Sequence, residues 1–111
     1  MVEKFLEISL LYDFYGCMLT DKQQQIIELY YNDDLSLGEI SELINISRQG
    51  VYDLLKRSEK QLYHYEEKLK LVEKFNAQKE KIKEAYSVLD NMKYSSEIEK
   101  VKKLLNEVIH M

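Results

Sequence analysis

Leu37-Gly38-Glu39-Ile40-Ser41-Glu42-Leu43-Ile44-Asn45-Ile46-Ser47-Arg48-Gln49-Gly50-Val51-Tyr52-Asp53-Leu54 is the stretch that decides the fold. Ser36 stands just before it, and Glu39 follows three positions later. That spacing makes a capping box, in which each side chain satisfies the other's unpaired backbone N–H at a helix start. Ile40, Leu43 and Ile44 then recur at threes and fours, as the buried stripe of a helix does. Asn45 is one of the few residue types that readily takes the left-handed conformation that ends a helix. A single residue, Ile46, separates it from Ser47, the cap of the next helix. Two capped helices so close must turn sharply against each other. The first must also bring its backbone near the second, which wants a small residue at its fifth position, and Ser41 is there. Ile40, Ile44, Ile46, Val51 and Leu54 supply a shared apolar seam. These constraints together predict a helix-turn-helix over 37–54 with its turn at Asn45-Ile46.

Outward from this motif the pattern stays helical. Upstream, Val2, Phe5, Leu6, Ile8, Leu11, Tyr12, Phe14 and Tyr15 form a wide apolar stripe, with Gly16 as its terminator. Thr20 caps a second helix that carries Ile26, Ile27, Leu29 and Tyr30 and stops at Asn32-Asp33-Asp34. Downstream of Arg48 no strong breaker occurs before Asp90-Asn91. Val51, Leu54, Leu55, Leu62, Tyr65, Leu69, Val72, Phe75, Ile82, Tyr86 and Leu89 therefore predict one very long helix, or two with a bend near Asn76. A last helix runs from Ser96 to Ile109.

Composition agrees. The 111 residues include no proline and only 3 glycines, while 45% are hydrophobic, enough for a core. Little turn chemistry and no strict apolar/polar alternation exclude a sheet, so the predicted fold class is all-α, with five or six helices. Cys17 is the only cysteine, which rules out an intramolecular disulfide and any metal site built on several cysteines; it is expected to be a small buried or half-buried hydrophobe. His64 and His110 lack a second ligand pattern. No Ser/His/Asp or Cys/His set, glycine-rich phosphate loop or HExxH pattern appears, so the expectation is no enzyme, no cofactor and no metal. No run approaches the ~18 apolar residues of a membrane span. Glu3, Glu7 and Asp13 interrupt the first apolar stretch, unlike a signal peptide, and a cytoplasmic location is expected.

The net charge of −4 opposes a uniformly basic surface, but its distribution matters more. Residues 1–34 hold seven acids and two bases, whereas residues 35–62 hold four of each. The acid excess sits in the N-terminal third, so any face for nucleic acid must lie on later helices.

The run Leu19-Thr20 through Ile26, Leu29-Tyr30-Tyr31-Asn32-Asp33-Asp34-Leu35-Ser36-Leu37-Gly38-Glu39-Ile40-Ser41 resembles region 4 of bacterial sigma factors. Its continuation, Ile46-Ser47-Arg48-Gln49-Gly50-Val51-Tyr52-Asp53-Leu54-Leu55-Lys56-Arg57-Ser58-Glu59-Lys60-Gln61-Leu62, resembles that domain's recognition helix. Taken whole, with its aromatic N-terminal helix and lysine/glutamate tail, the chain is similar to the YlxM family of helix-turn-helix proteins. That resemblance implies a small bacterial DNA-binding regulatory protein. It also implies a link, by gene neighbourhood, to the signal recognition particle pathway and its components. On the sigma pattern, Ser47 and Arg48 match positions that meet the DNA backbone. Gln49, Gly50, Tyr52 and Asp53 match the stretch that faces base edges, and Lys56, Arg57 and Lys60 reach flanking phosphates. Gln49 can pair with adenine through both ends of its amide. Gly50 offers no side chain there, and Asp53 sets a carboxylate near phosphates, though it could accept from a cytosine amino group. A second reading therefore stands beside the first: a non-enzymatic helical adaptor that binds protein or ribonucleoprotein RNA.

The organisation expected is a helix-turn-helix domain over 1–62 and a C-terminal helical extension over 63–111. Leu62, Tyr65, Leu69, Val72 and Phe75 form one apolar stripe of that extension, and Ile98, Val101, Leu105 and Val108 another. Such stripes are too sticky for a lone helix. A homodimer through them is expected, with an intramolecular hairpin and a monomer as the competing account.

Overall fold

A computed structural model describes residues 2–110, and among these residues there are six α-helices and no strand. The helices are α1 (Val2–Tyr15), α2 (Asp21–Ile27), α3 (Leu37–Ile44), α4 (Arg48–Leu69), α5 (Leu71–Asp90) and α6 (Ser96–Ile109). A short 3-10 turn, Gly16–Met18, follows α1, and α2 runs on into a wider π turn over Glu28–Asn32. The all-α expectation is met.

Local chemistry sets most of the helix boundaries. Gly16 is buried, and a Cβ there would sit 2.8 Å from the Tyr12 ring, so no larger residue fits where α1 ends. Cys17 lies in the turn just beyond and is exposed, contrary to the buried or half-buried position expected of it. A residue in a tight turn outside the helix no longer follows the helix's apolar stripe. Both α2 and α3 open with complete capping boxes, Thr20 with Gln23 and Ser36 with Glu39. Asn45 ends α3 at φ 58°, in the left-handed region. The Ser41 hydroxyl donates to the Ile46 carbonyl at 2.6 Å, closing the turn where a larger residue would push the helices apart.

The chain divides into two compact units, one ending at Val72 and the other beginning at Glu73. The core of the first gathers Ile8, Leu11 and Tyr15 from α1 with Leu19, Ile26, Ile27, Tyr31 and Ile40. Val51, Leu55 and Leu62 join them from α4. Val51 lies on the inner side of α4 as expected; Leu54 is half-buried, while Leu55 goes deeper.

The long helical run breaks at Lys70, not near Asn76. Lys70 sits at φ 54°, a left-handed conformation that costs a non-glycine residue about 1–2 kcal/mol. Tertiary contacts hold it there. The Tyr15 hydroxyl, fully buried, donates to the Glu66 carboxylate and accepts from Leu71 N at 3.0 Å. The same Glu66 oxygen accepts from Val72 N at 3.1 Å. Two of the backbone donors that a new helix leaves unpaired are thus capped by side chains from elsewhere.

In the second unit α6 folds back antiparallel to α5 after the turn 91–95. Lys102 on α6 pairs with Asp90 at 2.8 Å and lies 5.3 Å over the Tyr86 ring, while Val108 and Ile109 line a small groove with Phe75 and Ile82.

Candidate nucleic-acid interface

Helix α4 positions every side chain that the sequence pattern singled out. Ser47 caps it by accepting from Gly50 N at 2.9 Å, which fixes where the helix starts and hence which way each later side chain points. A Cβ on Gly50 would come within 3.1 Å of that Ser47 oxygen. Glycine at this position therefore makes room for the cap. Val51, Leu55, Ser58, Glu59 and Leu62 are buried, and they hold α4 against α1, α2 and α3. Ser47, Arg48, Gln49, Tyr52, Asp53, Lys56, Arg57 and Lys60 are all exposed. At 3.6 residues per turn the seven that lie within the helix, from Arg48 to Lys60, fall within roughly half its circumference, and Ser47 stands at its start as the cap.

The fold sorts charge that the sequence leaves balanced. Of the four acids in 35–62, Glu39 and Glu42 lie on α3, and Glu39 is engaged in its capping box. Glu59 is turned into the protein, where its side chain is 6% exposed. There it accepts from the Tyr31 hydroxyl at 3.0 Å and pairs with Lys4 of α1 at 3.1 Å and Lys56 at 3.7 Å. Burial, reinforced by this carboxylate, holds the Tyr31 phenol protonated well above the usual tyrosine range. Arg48, Lys56, Arg57 and Lys60 then face outward with a single exposed carboxylate among them, Asp53.

That carboxylate is itself engaged. Gln49 Nε2 donates to Asp53 Oδ1 at 3.0 Å across one helical turn. The primary amide carries two N–H groups, so one N–H and the carbonyl oxygen stay available for a ligand. Lys56 lies 5.6 Å over the Tyr52 ring, a cation–π contact that braces both side chains. Beside them opens a cleft of about 230 Å³ lined by Lys4, Phe5, Tyr30, Leu37, Tyr52 and Lys56, among others.

Lys4, Tyr31 and Glu59 belong to this region and were not anticipated. Glu59 had a signal: it lies four residues after Leu55 and three before Leu62, on the apolar stripe, where a carboxylate must find partners. Lys4 had none, because only the fold brings α1 to α4. Among the described residues, no three His, Cys, Asp or Glu side chains come together in a way that could hold a metal ion. Nor is any described helix long and apolar enough to cross a membrane.

The geometry is that of a helix-turn-helix, and a family model described as "Putative helix-turn-helix protein, YlxM / p13 like" matches residues 2–107. The chain belongs to this family. Among YlxM/p13-like relatives, a UPF0122 protein of Caldanaerobacter subterraneus is 61% identical over 82 residues, covering 74% of this chain and 70% of the relative. A UPF0122 protein of Thermoanaerobacter is 51% identical over 104 residues, 91% and 89% of the two chains. One of Desulforamulus reducens is 45% identical over 111 residues, 97% and 95% of the two. The YlxM/p13-like description names a helix-turn-helix and no reaction.

Proposed function

We propose that this protein is a DNA-binding regulatory protein whose helix α4 enters the major groove. The observation that carries this reading is the sorting of charge on α4: four cations outward, Glu59 inward. In this reading Ser47 and Arg48 contact the DNA backbone, and Lys56, Arg57 and Lys60 reach flanking phosphates. Gln49 reads an adenine with its remaining N–H and its carbonyl oxygen. Asp53, holding the other N–H, orients that amide, so it positions Gln49 and does not itself face a base.

Neutralising up to four phosphates per subunit gives a slope of log K against log salt of about −3.6. Arg48→Ala should weaken binding to all duplexes and reduce that slope by about 0.9. Gln49→Ala should leave the slope intact and relax preference at one base pair by roughly 1–3 kcal/mol. Fluorescence anisotropy over a salt series reads both effects. Absence of binding to any duplex at low salt would overturn the reading.

The cleft beside Tyr52 favours a second reading, a helical adaptor for protein or ribonucleoprotein RNA, with signal recognition particle components as the partners to test. A concave aromatic surface suits the anchoring side chain of a partner better than it suits a smooth duplex. Under that reading Phe5→Ala and Tyr52→Ala should abolish capture of purified particle components, while Arg48→Ala should not.

A further inference from the structure

From Glu73 onward no described side chain is buried, although α5 and α6 are both amphipathic and pack on each other. The seam of this hairpin uses Ile82, Tyr86 and Leu89 of α5 and Ile98, Leu105 and Ile109 of α6, all half-buried. A second apolar stripe, Val101, Leu104 and Val108, runs beside the seam on α6 and stays 42%, 53% and 46% exposed. The geometry points to a second copy of this chain as the occupant of that stripe, with the two α6 helices antiparallel about a two-fold axis at Leu104.

The arrangement follows from spacing and charge. Val101, Leu104 and Val108 are three and four residues apart, the a and d positions of a helix-pairing seam. With Leu104 on the axis it meets the partner's Leu104, and Val101 meets the partner's Val108. Lys100 and Glu107 are seven residues apart and flank the stripe on the same side. In an antiparallel pair, Lys100 then faces the partner's Glu107, and symmetry makes this ion pair twice. The same stripe in parallel register would set Lys100 beside the partner's Leu105 and leave it without an ion pair. The lysines and acids from Glu73 to the C-terminus number eight and seven, so no net charge opposes the pairing of two copies. A 14-residue helix is only about 21 Å long, so the contact falls at the small end of protein interfaces. A reversible dimer is expected, and its dissociation constant is independent of whether α4 binds DNA.

Sedimentation equilibrium of the full chain over about 1 to 500 μM brackets that constant. The expected result is a mass that rises with concentration from 13.3 kDa towards twice that value. Leu104→Glu should hold the chain at the monomer mass, because the substitution sets two carboxylates together on the axis. Leu104 is exposed, so its helix content by circular dichroism should match the wild type. Lys100→Glu should weaken the dimer about tenfold, and Lys100→Glu combined with Glu107→Lys should restore it. A wild-type mass that stays at 13.3 kDa throughout would overturn the inference. So would a Leu104→Glu variant that dimerises like the wild type, or a double variant no better than the single one.

Discussion

The two units are built from the same material and reach different ends. Both are made of amphipathic helices with apolar residues at threes and fours. In the first, up to Val72, twelve of the described apolar side chains are buried together. Polar groups from distant helices also meet there, as Tyr31 does with Glu59, Gln23 with Gln61 and Tyr15 with Glu66. In the second, two helices share one seam and bury no described side chain. An amphipathic helix needs neighbours on its whole apolar arc, and a hairpin supplies only one. The difference lies largely in how many elements converge. Stability is therefore concentrated in the unit that presents α4, and the hairpin is left with a surface still able to pair.

The largest test of that division is Val51→Asp. Val51 is fully buried between α4 and the rest of the first unit. An unpaired carboxylate there should cost on the order of 3–5 kcal/mol or more, a large share of a small domain's stability. Urea unfolding followed by circular dichroism should show the main transition moved far down or lost. A variant that melts like the wild type would mean that α4 does not face inward at Val51.

A matched pair sharpens the comparison. Leu62 is fully buried in the first unit and Leu104 is 53% exposed in the second. Leu62→Ala should cost about 2–5 kcal/mol, whereas Leu104→Ala at low protein concentration should stay within about 0.5 kcal/mol. The same chemical change thus reads the packing difference directly. Equal losses at the two positions would show that α6 is packed as tightly as α4.

Much of the first unit is legible from sequence because local chemistry decides it. Ser36 with Glu39, and Ser47, satisfy backbone groups three residues away, and Asn45 takes the left-handed conformation that its residue type tolerates, so their geometry follows from spacing alone. The exposed row on α4 follows from the same register, once Val51 is known to face inward. What escapes is decided by residues far apart in the chain. Glu59 reads as one of four acids offsetting four bases, yet in the fold it is turned inward against Lys4, 55 positions away. Lys56 and Lys4 share that carboxylate, and Arg48, Arg57 and Lys60 are left on the exposed side of α4 with Asp53 as the acid among them. The break at Lys70 has no local cause either, since lysine is an ordinary helix former. Its cause is the hydroxyl of Tyr15, placed there by a different helix.

That break supplies the smallest and most selective test. If tertiary contacts force Lys70 to φ 54°, the left-handed cost is present in the native state and glycine should relieve it. Lys70→Gly alone mixes two effects, because it also removes the lysine side chain and loosens the unfolded chain. Lys70→Ala is the control: it removes the same side chain but keeps a Cβ in the unfavourable conformation. Glycine should therefore exceed alanine in stability by roughly 0.5–1 kcal/mol, the left-handed relief less the entropy that glycine adds to the unfolded state. In an ordinary helical position the order is reversed, with alanine ahead by about 0.8–1.0 kcal/mol. The sign of the glycine–alanine difference, read from urea midpoints at equal slope, thus reports the backbone state at this residue. Alanine ahead of glycine would mean that α4 and α5 are one continuous helix in solution, and the boundary between the two units would have to be drawn elsewhere.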